Sequence, residues 1–112
     1  ADASIRTIRA GGGRKLNAQD LANTAWSFAT LEMMHPPLMD ALSAHSLRTL
    51  GEFSPQHLAI MAWSFATLQV SDEPLMQGIS AAALSRMAQF EPQDLSNTAW
   101  AFARLLVEDA PL

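Results

Sequence analysis

The feature that most constrains this 112-residue chain is a tandem repeat with a period of 37 residues. Trp26, Trp63 and Trp100 recur at that spacing, each inside the motif Ala-Trp-Ser/Ala-Phe-Ala. A period in this range indicates an architecture in which each copy is one supersecondary unit. The copies align without a gap, and we assign them to residues 17–53, 54–90 and 91–112, the last being a partial copy.

Each copy predicts two helices joined by a proline-containing turn. Asn17 and Ser54 are suited to cap the first helix, and Pro55 falls at a first helical position, where a missing N–H is tolerated. Apolar residues follow at helical spacing, and alanines at every fourth position allow neighbouring helices to approach closely. We therefore predict an all-α fold, an α-α superhelix or helix–turn–helix solenoid of 37-residue repeats.

The repeat also predicts that this chain belongs to a longer array. One helix pair cannot bury both of its faces, and stacking on the next pair solves that problem. About three repeats are usually needed for stability, whereas this chain holds two complete copies and the first helix of a third. Residues 1–16 are predicted to be a partial helix and linker, with Ile5 and Ile8 on one helical face.

Composition gives little support to catalysis. Cysteine is absent, and the spacing of His35, His45 and His57 does not match that of metal ligands. The motifs of nucleophilic or phosphate-binding enzymes are also missing, so we expect a non-enzymatic protein without a cofactor or metal. Since no apolar stretch is long enough to span a bilayer, we expect no membrane insertion.

A polar stripe on each first helix is the candidate contact surface. Positions 23, 27 and 30 share one helical face and differ among the copies. Such side chains can form hydrogen bonds with the edges of bases. Helical-repeat proteins that bind RNA recognise each base with two or three side chains of one repeat. The alternative is that the stripe is the solvated side of an amphipathic helix. Tryptophans are able to stack on bases, but their position on an alanine-rich helix favours packing between units, and we assign them to that role. The predicted contact residues are Asn23, Ser27, Thr30, Ser64, Thr67, Asn97 and Arg104.

The segments NAQDLANTAWSFATL, SPQHLAIMAWSFATL and PQDLSNTAWAFARL resemble the octotricopeptide-type helical repeats of organellar gene-expression proteins, in particular the slightly shorter heptatricopeptide variant. The resemblance covers residues 17–112, although Ile60 departs from the asparagine that the motif has at this place. It implies binding of single-stranded RNA in a chloroplast or mitochondrion, in RNA processing, stability or translation. It does not imply catalysis by the repeats.

Net charge keeps a second function open. The formal charge is −4, and four of the seven cations lie in the first fifteen residues. Proteins that neutralise phosphates normally present a basic field, so the charge weighs against RNA. The alternative is a structural or scaffold subunit, whose solenoid makes protein–protein contacts in a larger organellar complex such as a ribosome or photosynthetic assembly.

Overall fold

The computed structural model describes residues 16–109, and the side chains of residues 16–106. This part of the chain contains helices and no strand, which confirms the all-α prediction. Predictions for residues 1–15 and for the proline and leucine at 111–112 lie outside the described residues. The five helices are α1 (Ala18–Thr30), α2 (Pro36–Arg48), α3 (Pro55–Thr67), α4 (Glu73–Ser85) and α5 (Pro92–Asp109).

The predicted N-caps of α1 and α3 are confirmed. The Asn17 side chain accepts a hydrogen bond from the backbone N–H of Asp20 at 2.8 Å, and the Ser54 hydroxyl accepts one from His57 N–H at 3.1 Å. The Asp20 carboxylate and the His57 ring nitrogen Nδ1 accept the reciprocal bonds from the cap N–H groups, completing two capping boxes. His57 and Asp20 thus have the same capping role at equivalent positions of the repeat.

Two of the first helices, α1 and α3, end earlier than the apolar pattern predicts. That pattern continues to about Met33 and Val70, but the helices stop three residues sooner. Glu32 and Gln69 follow in the left-handed conformation, with φ values of 54° and 59°. Gln69 N–H donates to the Ala66 carbonyl, which closes the helix end by backbone bonds that an apolar pattern does not reveal.

The second helices also end before the repeat boundary. Gly51 is by residue type a candidate C-terminal cap of α2, but the helix ends at Arg48 and a 3₁₀ turn, Leu50–Glu52, follows. The same turn recurs at Met87–Gln89 after α4. Each turn is followed by a phenylalanine that packs in the core, Phe53 or Phe90, and Phe53 is completely buried. The connection between units is therefore anchored by packing and not by a glycine cap.

The helices form two rows. First helices α1, α3 and α5 lie side by side and make the most extensive contacts in the molecule, while α2 and α4 form the second row. Alanines at the α1–α3 junction are buried, among them Ala25 and Ala62. Small side chains let the helix axes approach closely, so the two interhelical contacts of the first row define one continuous surface across α1, α3 and α5.

Candidate functional site

The outer surface of the first row carries four recurring positions from each helix. They are spaced 19, 23, 26 and 30 in α1, which places them on one helical face. We call this surface the tryptophan face. Its members are Gln19, Asn23, Trp26 and Thr30 on α1, Gln56, Ile60, Trp63 and Thr67 on α3, and Gln93, Asn97, Trp100 and Arg104 on α5.

The tryptophans are exposed at this face, and their assignment to packing between units was wrong. Trp26 is 49% and Trp100 43% exposed, and Trp63 is half-buried on the middle helix. The close approach of the alanine-lined helices explains the outcome, because it leaves no room for an indole between them. Only part of the prediction survives, since the rings of Trp63 and Trp100 lie 6.5 Å apart with a tilt of 32°.

A groove runs across the tryptophan face. Its volume is about 400 Å³, which is within the size range of small-ligand sites. Trp26 and Trp63 supply aromatic surface, and Ile60 supplies apolar surface between them. The polar part of the lining consists of amides and one carboxylate: Gln56, Gln93, Asn97 and Asp94. Planar apolar surface beside amide donors and acceptors can bind a planar group that has a polar edge.

Arg104 on α5 contacts Trp100 of its own helix and the neighbouring helix α3. Its guanidinium carbon lies 5.5 Å from the centre of the Trp100 ring, within cation–π range. Its Nε–H donates to the carbonyl of Ala66 on α3 at 3.1 Å. Arg104 therefore connects Trp100 with α3 across the α3–α5 junction.

The predicted residues on α1 have a reduced donor capacity. Asn23, Ser27 and Thr30 are all exposed. However, the Ser27 hydroxyl donates to the Asn23 carbonyl at 2.9 Å, and the Thr30 hydroxyl donates to the Ser27 carbonyl at 3.0 Å. Both hydroxyls can therefore only accept a bond from a ligand, whereas the Asn23 amide keeps its donors and its acceptor.

The equivalent residues on α3 lie deeper. Ser64 is fully buried, and its hydroxyl donates to the Ile60 carbonyl at 2.7 Å. It is thus removed from the predicted contact surface, because a neighbouring helix covers it. Thr67 is half-buried, and its hydroxyl oxygen is buried without a hydrogen-bond partner in the described chain. On α5, the structure places Arg104 beside Trp100, and it places Asn97 in the groove with Trp26 and Trp63.

The glutamines are face residues that the sequence reasoning missed. Gln19, Gln56 and Gln93 are identical in the three copies and exposed in each. The predicted contact residues were chosen among positions that differ between the copies, and the glutamines do not differ. Their invariance, together with a spacing of one helical turn from the polar stripe, was the available signal.

Charge on the described chain is strongly acidic. Residues 16–109 carry three arginines against ten aspartates and glutamates. Of these arginines only Arg104 belongs to the tryptophan face, while Arg86 donates to the backbone carbonyl of Phe53. Within the described helices no segment is both long and apolar enough to cross a bilayer. Arg104 is therefore the one cationic side chain that the described residues place on this face.

A protein-family model described as "RNA-editing substrate-binding complex 6 protein" matches residues 14–111. The chain belongs to this family. The match spans α1 to α5 and hence the whole tryptophan face. No curated protein and no solved structure has significant similarity to the chain.

The RNA-editing substrate-binding complex 6 family is associated with RNA by its description, as the resemblance to organellar repeats also implied. The family is described by its complex and not by a class of repeat. Assignment to the octotricopeptide or heptatricopeptide class therefore stays a prediction. The same holds for the domain boundaries at residues 17–53, 54–90 and 91–112.

Proposed function

We propose that this member of the RNA-editing substrate-binding complex 6 family is an RNA-binding helical module. The observation that carries the proposal is the display of Trp26, Trp63 and Trp100 on one face. Exposed indoles on a rigid surface are platforms on which single-stranded bases stack, and stacking is worth about 1–3 kcal/mol per base. Because every base has a π-face, this contribution does not depend on a basic field.

The amides of the tryptophan face would add selectivity. Asn97 and Gln93 line the groove beside the indoles. An amide can pair with the donor and acceptor atoms on the edge of a base, and such a pair discriminates between bases by about 1–3 kcal/mol. Ile60 replaces the amide on α3, so the middle helix offers an apolar contact where α1 and α5 offer a polar one.

The wider setting of the module is also a proposal. We infer that the two helix pairs and α5 are 37-residue units of an α-α superhelix, since α1, α3 and α5 begin at equivalent positions. We further propose that the module acts by binding and not by catalysis, in a chloroplast or a mitochondrion. The motif Ala-Trp-Ser/Ala-Phe-Ala and its resemblance to organellar repeats support these two proposals.

The tryptophans themselves provide the test. The chain has three tryptophans and no tyrosine, so its intrinsic tryptophan fluorescence arises from the proposed site. We expect short single-stranded RNA to quench this emission and duplex RNA to do so much less, because paired bases are already stacked. Absence of both quenching and binding up to ~1 mM RNA, the weak limit for a specific contact, would refute the proposal.

A pair of variants separates stacking from non-specific association. Trp63→Ala should weaken binding by about 5- to 150-fold, which corresponds to the 1–3 kcal/mol of one stacked base. Leu84→Ala is the matched control, because Leu84 is 68% exposed on α4 and is not a member of the tryptophan face. Equal affinities of the two variants would contradict the role of the face.

A scaffold function is the second candidate, and the charge of the described chain favours it. Three arginines against ten carboxylates suit a basic protein surface better than a polyanion. Added salt distinguishes the two functions. Stacking on indoles should depend little on ionic strength, whereas association of the acidic helices with a basic protein should weaken steeply as salt rises. The Trp63→Ala variant should leave scaffold binding unchanged.

A further inference from the structure

The polar part of the groove on the tryptophan face comes mainly from α5. Asp94 and Asn97 lie one helical turn apart, so they occupy the same side of this helix, and both line the groove together with Gln93. The aromatic lining comes from Trp26 on α1 and Trp63 on α3. A planar group that stacks on these indoles therefore has its edge in the same groove as a carboxylate and amides.

Asp94 gives this groove an acceptor that cannot donate. Its side chain is half-buried, and its oxygen Oδ2 accepts a hydrogen bond from the backbone N–H of Glu91 at 3.3 Å. An ionised carboxylate offers about four acceptor sites on its two oxygens and has no donor. Asp94 can therefore accept hydrogen bonds from two neighbouring N–H groups of a ligand while it keeps the bond to Glu91.

The same carboxylate favours a base over a phosphate in the groove. A helix N-terminus attracts anions, but the first turn of α5 already holds the carboxylate of Asp94. The described residues that line the groove include no arginine or lysine. A phosphate beside Asp94 would therefore be repelled, whereas the N–H groups of a base would be attracted.

The RNA bases differ in the N–H groups on their pairing edges. Guanine carries neighbouring donors, N1–H and the N2 amino group, beside the O6 acceptor. Adenine and cytosine each have an amino group next to a ring nitrogen that accepts, and uracil has a single N–H between carbonyl oxygens. Guanine therefore satisfies both oxygens of a carboxylate, in the bidentate arrangement that makes charge-assisted hydrogen bonds strong. Each of the other bases turns a lone pair toward one of those oxygens.

We infer that the groove binds a guanine base of single-stranded RNA, with Asp94 accepting from N1–H and the N2 amino group while an amide of α5, from Asn97 or Gln93, donates to O6. The inference rests on the proposed function, because it names the base that the RNA-binding face selects. It does not extend to the α1–α3 junction. The equivalents of Asp94 and Asn97 on α3 are His57 and Ile60, which supply neither a carboxylate nor an amide.

Competition between short RNAs tests the inference. The probe is the fluorescein-labelled pentamer UUGUU on the full 112-residue chain, followed by anisotropy, and the competitors are unlabelled UUGUU, UUAUU, UUCUU and UUUUU. We expect UUGUU to compete about 5- to 150-fold more strongly than UUUUU, which is the discrimination of one bidentate pair. Equal competition by all four would refute the guanine assignment and leave the RNA-binding function intact. Failure of labelled UUGUU to bind up to ~1 mM protein would refute both.

A change of base preference in Asp94→Asn separates recognition from a structural role. An amide offers an acceptor beside a donor, which matches the edge of adenine, so this variant should lose the preference for UUGUU and gain affinity for UUAUU. Asp20→Asn is the matched control, because Asp20 accepts the N–H of Asn17 at 3.2 Å in the equivalent cap but does not line the groove. It should keep the guanine preference. Loss of that preference in both variants, or in neither, would refute the role of Asp94, and circular dichroism verifies that each variant folds.

Guanosine 5′-monophosphate as a further competitor distinguishes RNA from a free nucleotide as the source of the base. It should compete more weakly than UUGUU, because it lacks the neighbouring bases that stack on Trp63 and Trp100, whose rings lie 6.5 Å apart. Competition as strong as that of UUGUU would overturn the assignment to RNA.

Discussion

Arg104 forms a hydrogen bond between α5 and α3, so its removal should lower the stability of the fold by an amount that can be estimated. The hydrogen bond from Arg104 to the Ala66 carbonyl is charge-assisted, a class worth about 1.5–3 kcal/mol when a partner is lost. The lower end applies here, because Arg104 is half-buried and the Ala66 carbonyl still accepts from Gln69 N–H at 3.0 Å. The contact with Trp100 adds about 0.5 kcal/mol at this exposure.

We therefore expect Arg104→Met to lower the free energy of unfolding by about 1.5–2 kcal/mol. For a chain of this size the melting temperature should fall by roughly 5–10 °C. Thermal and urea unfolding followed by circular dichroism provide the measurement. Arg104→Lys should lie between the variant and the unmodified chain, since an ammonium keeps the charge near Trp100 but lacks the planar guanidinium fork.

Arg48→Met is the control for loss of an arginine. Arg48 is exposed, and its guanidinium is hydrogen-bonded to the ring nitrogen of His45, at 3.2 Å. Its removal should change stability by less than about 0.5 kcal/mol. If Arg104→Met unfolded like the unmodified chain, or if both variants lost the same stability, the bridging role of Arg104 between α3 and α5 would be refuted.

Three further substitutions test the packing and the turns. Gly78→Ala should stabilise the chain by about 0.5 kcal/mol, since the helix gains up to ~1 kcal/mol and the new methyl group meets only the flexible ends of Leu50, at 2.8 Å, and Leu47, at 3.3 Å. Urea midpoints measure this change, and a loss of stability would show that these two side chains cannot move. Gln69→Gly should also stabilise, by about 0.5–1 kcal/mol, because it relieves a left-handed residue; an unchanged melting temperature would argue against strain there. Phe53→Ala should cost about 3–5 kcal/mol, since the ring is completely buried between the units, and a loss below ~1 kcal/mol in urea unfolding would contradict that packing.

The local rules of the sequence were enough to locate the helices. The N-caps Asn17 and Ser54 and the proline at the start of α3 act within one helical turn, so their effect does not depend on distant residues. The helix ends were harder to predict. Glu32 and Gln69 adopt left-handed conformations that their residue types disfavour, because backbone bonds at the helix end outweigh that preference.

The candidate site shows where local reasoning stops. A tryptophan inside an alanine-rich helix suggests core packing, yet the alanines draw the first helices so close together that the indoles are excluded. Helical period alone does not choose between the two sides of such a helix. The choice depends on which residues permit the closer approach of a neighbour, and that is a property of two helices together.

Ser27 and Ser64 illustrate the division between sequence and structure. They occupy the same position of the repeat and make the same hydrogen bond to the carbonyl four residues earlier. The sequence by itself determined that shared helical setting. Only the tertiary structure decided that Ser27 is exposed and Ser64 is buried, because α1 packs against α3 from the side on which Ser64 lies.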